Sequence, residues 1–135
     1  MSTTNSLFAR IFARIGPRMD RRGADAHRRE LVDGLAGDVL EIGAGYGASF
    51  PFYPPDVRSL LALEPDTGLR DRAEATAAAS PLAIRVSDGR AEHIPLPDSS
   101  VDAVVFSLVL CSVEEQSAAL AEAARVLKPS GILAF

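Results

Sequence analysis

Three glycines stand at alternate positions in Gly43-Ala44-Gly45-Tyr46-Gly47, directly after the apolar run Val39–Ile42. Without side chains they permit a tight turn and let a ligand lie against the backbone. Two carboxylates accompany them: Glu41 comes two residues before the first glycine, and Glu64 comes 21 residues after it. A carboxylate at the second spacing, closing the next apolar run, can accept hydrogen bonds from both hydroxyls of a ribose. Gly43, Gly45 and Ala48 also satisfy the dinucleotide pattern G-x-G-x-x-A. Together these residues point to an adenosine-containing ligand, with NAD and S-adenosylmethionine both open. The plain alternatives are a bare strand–helix turn for the glycines and a turn carboxylate before Pro65 for Glu64. Glu41 separates the two ligands. A pyrophosphate wants bare amide donors and no neighbouring anion, whereas a ligand carrying an ammonium and a sulfonium suits a nearby carboxylate. The electrostatics therefore favours S-adenosylmethionine.

Other reactive side chains carry less. Cys111 lies in an apolar run and reads as packing. His93 precedes Ile94-Pro95 and reads as an ordinary loop histidine with no partner visible in sequence. His27 and Cys111 have no metal-ligand spacing with anything, so no metal is expected, and no Ser/His/Asp triad can be argued.

The elements that must position the glycines and Glu64 follow from periodicity. Leu7, Phe8, Ile11, Phe12 and Ile15 recur at helical spacing until Gly16-Pro17. A second helix is expected from Ala24 to Leu35, with Leu31, Val32 and Leu35 buried. Beyond Gly37 the pattern changes to short apolar runs typical of a parallel sheet: Val39–Ile42, Ser59–Leu63, Leu82–Val86, Val101–Phe106 and Ile132–Phe135. Asp66–Ala79 fits a helix with Asp66 as N-cap and Ser80-Pro81 as its stop. Glu114–Leu127 fits another, closed by Lys128-Pro129-Ser130-Gly131. The expected domain is α/β and Rossmann-like, with about five parallel strands and flanking helices. Ligands in such sheets sit beyond the carboxyl ends of the strands, where strand order reverses.

Composition narrows the class. The chain has 135 residues, 47% hydrophobic and 24% charged, which excludes a disordered chain, a collagen or a disulfide scaffold. One cysteine allows no internal disulfide, and neither a secretory signal nor a membrane span is read from the sequence. A cytoplasmic protein is expected. Residues 1–30 hold seven arginines against Asp20, Asp25 and Glu30, a balance of +4, while the remainder is acidic. An acidic body is a poor non-specific partner for nucleic acid. The basic head reads as a solvated helix face, with weak peripheral membrane contact as the alternative.

Four segments in order carry a resemblance. Val39–Gly47, Leu61–Asp66, Ala91–Asp102 and Arg125–Gly131 resemble the motifs of class I S-adenosylmethionine-dependent methyltransferases, together covering residues 37–135. Phe52-Tyr53-Pro54 and Ser107–Val113 look like the methyltransferase-like 7 group within that class, which includes thiol S-methyltransferases. The resemblance implies S-adenosylmethionine as cofactor and a small-molecule methyl acceptor, a thiol among the candidates. It divides the chain into a helical segment, 1–36, and a cofactor-binding domain, 37–135. Gly43, Ala44, Gly45, Tyr46 and Gly47 would cradle the methionine part, and Glu41 would lie near its ammonium. Glu64 would hold the ribose, and Pro65 would pack near the adenine. Arg90, Ala91 and Glu92 would flank the adenine amino group, and Ser107 and Leu108 would face the methionine tail. The pattern departs from the family at Arg90, where an acidic residue is usual, and at Ser130, where a glycine is usual. Family sheets continue past the fifth strand, so the resemblance implies a domain cut off at its C-terminal side. Self-association through that sheet edge is expected, and a non-catalytic cofactor-binding fragment or an NAD-dependent oxidoreductase are the rival functions.

Overall fold

The computed structural model describes residues 23–107 and 116–135. The helix expected over Leu7–Ile15, Leu108 and Cys111 lie outside the described residues. Five parallel strands form one sheet: β1 (Gly37–Ile42), β2 (Val57–Leu63), β3 (Ile84–Ser87), β4 (Val101–Phe106) and β5 (Leu127–Ala134). Among the described residues, three α-helices accompany them: α1 (Asp25–Val32), α2 (Thr67–Ala78) and α3 (Gln116–Val126). The spatial strand order is β3-β2-β1-β4-β5. The order in which the chain adds strands therefore reverses between β1 and β4, and the crevice of this fold opens beyond Ile42 and Phe106.

Alternation along each strand sorts the core into two layers. Val39 faces one layer with Val32, Leu35, Phe50, Tyr53, Ala73 and Val105. Leu40 and Ile42 face the other with Ala91, Ile94, Val104, Phe106, Ala119 and Val126. Such two-sided burial is why the strands read as continuous apolar runs. Leu31, Val32 and Leu35 do pack into the first layer as their spacing predicts.

Several boundaries move, each for a local reason. β3 starts at Ile84 because the Ser80 hydroxyl accepts the Leu82 amide and holds that residue in a turn. The helix expected to begin at Ala24 ends at Val32, where Asp33 donates back to Glu30. Helix α3 passes straight into β5, since Leu127 already pairs with Val101. The next paired residues are Ala103 and Ile132, so Lys128–Gly131 loops out as a bulge rather than closing the helix before a separate strand. The Lys128 ammonium, 3.2 Å from Asp102 Oδ1, ties the bulge down. Asp66 caps α2 as expected, its side chain accepting the Leu69 amide at 3.0 Å. β5 is an outer strand of the described sheet, with Ile132 50% and Phe135 73% exposed.

A polar cluster closes the end of the sheet opposite the crevice. Asp38 accepts two bonds from the Arg58 guanidinium and one from the Ser59 hydroxyl. The Asp38 amide donates to Asp102 Oδ2 at 2.8 Å. A side chain at Gly37 would collide with the Asp102 carboxylate, which is why this bend takes glycine at φ +79°. The loop 88–100 crosses from β3 to β4 without a helix, and Arg125 of α3 binds it. Its guanidinium donates to the carbonyls of Ile94 and Leu96 and to Asp98, while Glu122 accepts the Ile94 amide.

Candidate functional site

The turn after β1 is held first by backbone bonds to β2. The amides of Gly43 and Ala44 both donate to the Leu63 carbonyl, at 2.9 and 3.1 Å. Gly43, Gly45 and Gly47 all have positive φ, at 72°, 61° and 89°, which L-residues with a Cβ rarely adopt. At Gly47 space is also lacking: a Cβ would stand 2.7 Å from the Phe50 ring and 3.1 Å from Thr76 Cβ. The Thr76 hydroxyl of α2 donates to the Tyr46 carbonyl at 2.9 Å, so the helix clamps the outside of the turn. Ala44 is buried in the first core layer and anchors the inside.

Glu64 is the hinge between this turn and the next. Its Oε1 accepts the Gly45 amide and its Oε2 the Asp66 amide, both at 2.9 Å. The residue is buried, and burial raises its carboxyl from its ordinary value against the pull of those amides. Each oxygen retains acceptor capacity beyond the amide it already holds. The Arg70 guanidinium donates to the Glu64 and Pro65 carbonyls and reaches Asp88 at 3.5 Å. It thus joins the loops at the ends of β2 and β3.

Glu41 is fully buried on the first-layer face of β1. The Tyr53 hydroxyl donates to its Oε1 at 2.6 Å, and its Oε2 has no partner among the described residues. Burial pushes the Glu41 carboxyl up to about 7, although the Tyr53 hydroxyl and the charge of Arg28 both favour its anion. Burial likewise pushes the Tyr53 phenol well above its ordinary value.

The remaining expected residues divide. Ala91 is buried against the second core layer, while Glu92 is half-buried beside it. Arg90 is exposed and forms an antiparallel bridge with His93, whose amide donates to the Arg90 carbonyl. Ser107 is half-buried at the end of β4, its hydroxyl 3.3 Å from that of buried Ser49. This contact spans the crevice between the β1 turn and the β4 end. Residues 43–47, Glu64 and Ser107 are therefore gathered at one end of the sheet, and the loop carrying Arg90–Glu92 follows β3 at the same end. Sequence reasoning missed Ser49, Thr76 and Arg28. None stands in a recognisable motif, and only their hydrogen bonds or burial reveal them. No group of three His, Cys, Asp or Glu is placed to hold a metal among the described residues. None of the described helices is long and apolar enough to cross a membrane.

Residues 40–135 match a family model described as a methyltransferase domain. This chain belongs to the S-adenosylmethionine-dependent methyltransferases. It is 34% identical to the human thiol S-methyltransferase TMT1B over 96% of its own length and 57% of that protein. To the human thiol S-methyltransferase TMT1A it is 39% identical over 72% of its own length and 41% of that protein. The chain thus spans about half the length of these curated relatives. The methyltransferase backbone also follows a solved structure from Methanococcus maripaludis, a candidate S-adenosyl-L-methionine-dependent methyltransferase. The TM-score is 0.79 at 22% identity, covering 92% of this chain and 61% of that one. That likeness concerns the fold: a parallel sheet with flanking helices, as the strand pattern predicts. Family membership also decides the cofactor, S-adenosylmethionine, and the dinucleotide reading of Gly43, Gly45 and Ala48 falls away.

Proposed function

We propose that this methyltransferase transfers a methyl group to a small apolar acceptor, a thiol, and that it belongs with the methyltransferase-like 7 group. The observation that carries the cofactor reading is Glu64, a carboxylate bridging the glycine turn and the β2 end beside the strand-order reversal. The residues suit the cofactor. Positive-φ glycines leave the turn open to close approach, and the unpartnered Glu41 oxygen can take an ammonium donor. Glu64 would hold the ribose hydroxyls, Pro65 and Ala91 would border the adenine, and Gly43–Gly47 would support the methionine part. Ser107, with Ser49 behind it, would bound the methionine end.

The sulfonium supplies an activated methyl group and a good leaving group. The protein's task is then to hold the acceptor in line with that methyl group and to exclude water, so proximity and orientation do most of the work. A thiol with an ordinary pKa of about 8.5 is a few per cent thiolate at pH 7, so it needs no dedicated base. The thiol reading is supported by the relatives named above, two of which are thiol S-methyltransferases.

S-adenosylmethionine or S-adenosylhomocysteine is expected to raise the melting temperature, and NAD to leave it unchanged. Glu64→Ala should weaken S-adenosylhomocysteine binding by about 1.5–3 kcal/mol, the scale of a charge-assisted hydrogen bond. Titration calorimetry measures this, and equal affinity in the variant would remove Glu64 from the ribose site. A transfer assay over thiols, amines and phenols, on the protein at its natural length, tests the acceptor. Turnover of amines alone would overturn the thiol assignment, and binding without any transfer would make the protein a cofactor-binding module.

A further inference from the structure

Tyr53 is the middle residue of the Phe52-Tyr53-Pro54 run, whose family resemblance gives it no role. In the fold it follows a 3-10 turn over Phe50–Phe52 and delivers its hydroxyl to a carboxylate twelve residues earlier in the chain. We propose that Tyr53 is a positioning residue for the cofactor: it occupies one oxygen of Glu41 and keeps the other for the cationic end of the ligand, whose arrival drives a proton off that carboxyl.

The inference rests on the S-adenosylmethionine reading and adds to it a residue and a proton. Its basis is geometric. Glu41 is sealed from water, Oε1 is taken by the phenol at 2.6 Å, and Oε2 meets no donor among the described residues. A buried carboxylate oxygen left without a donor is costly, and the ammonium of a methionine group is a donor of the right charge. Three described groups act on Glu41. Tyr53, from the segment after the 3-10 turn, and Arg28, from α1, favour the anion; Glu64, from the end of β2, opposes it. Burial outweighs them and leaves the carboxyl at about 7, so the ligand-free protein at neutral pH carries a proton there part of the time. A cation against Oε2 stabilises the carboxylate, and the displaced proton passes to the buffer.

The test is calorimetric binding of S-adenosylhomocysteine, which retains the ammonium, to the protein at its natural length. Titrations run from pH 5.5 to 8.5 in buffers of different ionisation enthalpy. About half a proton should be released per ligand at pH 7, and affinity should rise roughly tenfold or more between pH 5.5 and 7 and level off above pH 7. Tyr53→Phe should shift the levelling point upward by about one pH unit, since a hydrogen bond to the charged form is lost. It should weaken binding most at low pH. 5′-Methylthioadenosine, which lacks the ammonium, should release no proton and bind the wild type and Tyr53→Phe equally. Glu41→Gln keeps an acceptor for Tyr53 and should abolish proton release, so Glu41 is identified as the source of the proton however well Tyr53→Phe folds. Binding by the wild type without proton release, or a Tyr53→Phe profile that matches it, would overturn the inference. A wild-type protein that binds neither nucleoside would instead overturn the cofactor reading on which it rests.

Discussion

Gly47→Ala should destabilise the protein by about 2–6 kcal/mol. Two costs combine. A φ of +89° is strained for any residue with a Cβ, at roughly 1–3 kcal/mol. The new methyl group would also press on the Phe50 ring at 2.7 Å and on Thr76, and overpacking a filled site costs about 1–3 kcal/mol. Phe50 belongs to the first core layer and Thr76 clamps the turn, so relief of the clash must move one of them. Cofactor binding should weaken in step, because the turn that moves carries the Gly45 amide held by Glu64. Urea unfolding of both proteins measures the difference. A variant within about 0.5 kcal/mol of the wild type, the range of an ordinary surface change, would show that the turn has room the structure denies it.

The ligand-free protein should lose stability as pH rises from 5 to 8, and Glu41→Gln should remove most of that slope. The Glu41 carboxyl is raised from 4.5 to about 7 on folding. The folded chain therefore holds this proton more tightly than the unfolded chain does. The stability this contributes is complete below about pH 4.5 and lost as pH climbs through 7. By linkage the loss between pH 5 and 8 is roughly 2–3 kcal/mol for this group alone. Glu64 is shifted in the same direction and retains its own share in the variant. Asp38, Asp102 and Glu122 are shifted downward by their cationic and amide partners. Their stabilisation is lost only as pH falls through the acid range, so they do not confuse the window above pH 5. Thermal melts at several pH values, for both proteins, give the slopes. Equal slopes would place the titrating group elsewhere. With the expected result, Glu41 is an element kept for binding at the expense of stability, since a neutral residue would hold the fold better above pH 7.

Much of this molecule is written locally. β4 has the bounds that its apolar run predicts, and Asp66 caps α2 through the Leu69 amide as its residue type requires. The glycine turn and Glu64 are legible for the same reason. Positive φ in a tight turn favours glycine, and a carboxylate that closes a strand is visible as spacing. The family likeness in the four ordered segments rests on these local signals, and the match over residues 40–135 agrees with it.

What the chain alone could not decide is which distant residues meet. The order β3-β2-β1-β4-β5 is a property of crossovers, and it alone locates the crevice between the β1 turn and β4. Ser49 and Ser107 are 58 residues apart and lie in no shared pattern, yet their hydroxyls face each other across it. Glu41 is the sharpest case. Its residue type suggested a partner for an ammonium, but its sealed position and raised carboxyl come from strand register and from the layer of side chains over that face of β1. Tyr53 reaches it because the 3-10 turn folds the chain back over the strand it has just left. Backbone preference and hydrophobic period are encoded residue by residue. Desolvation and hydrogen-bond partnership belong to the packed whole, because both depend on atoms brought together only by the tertiary fold.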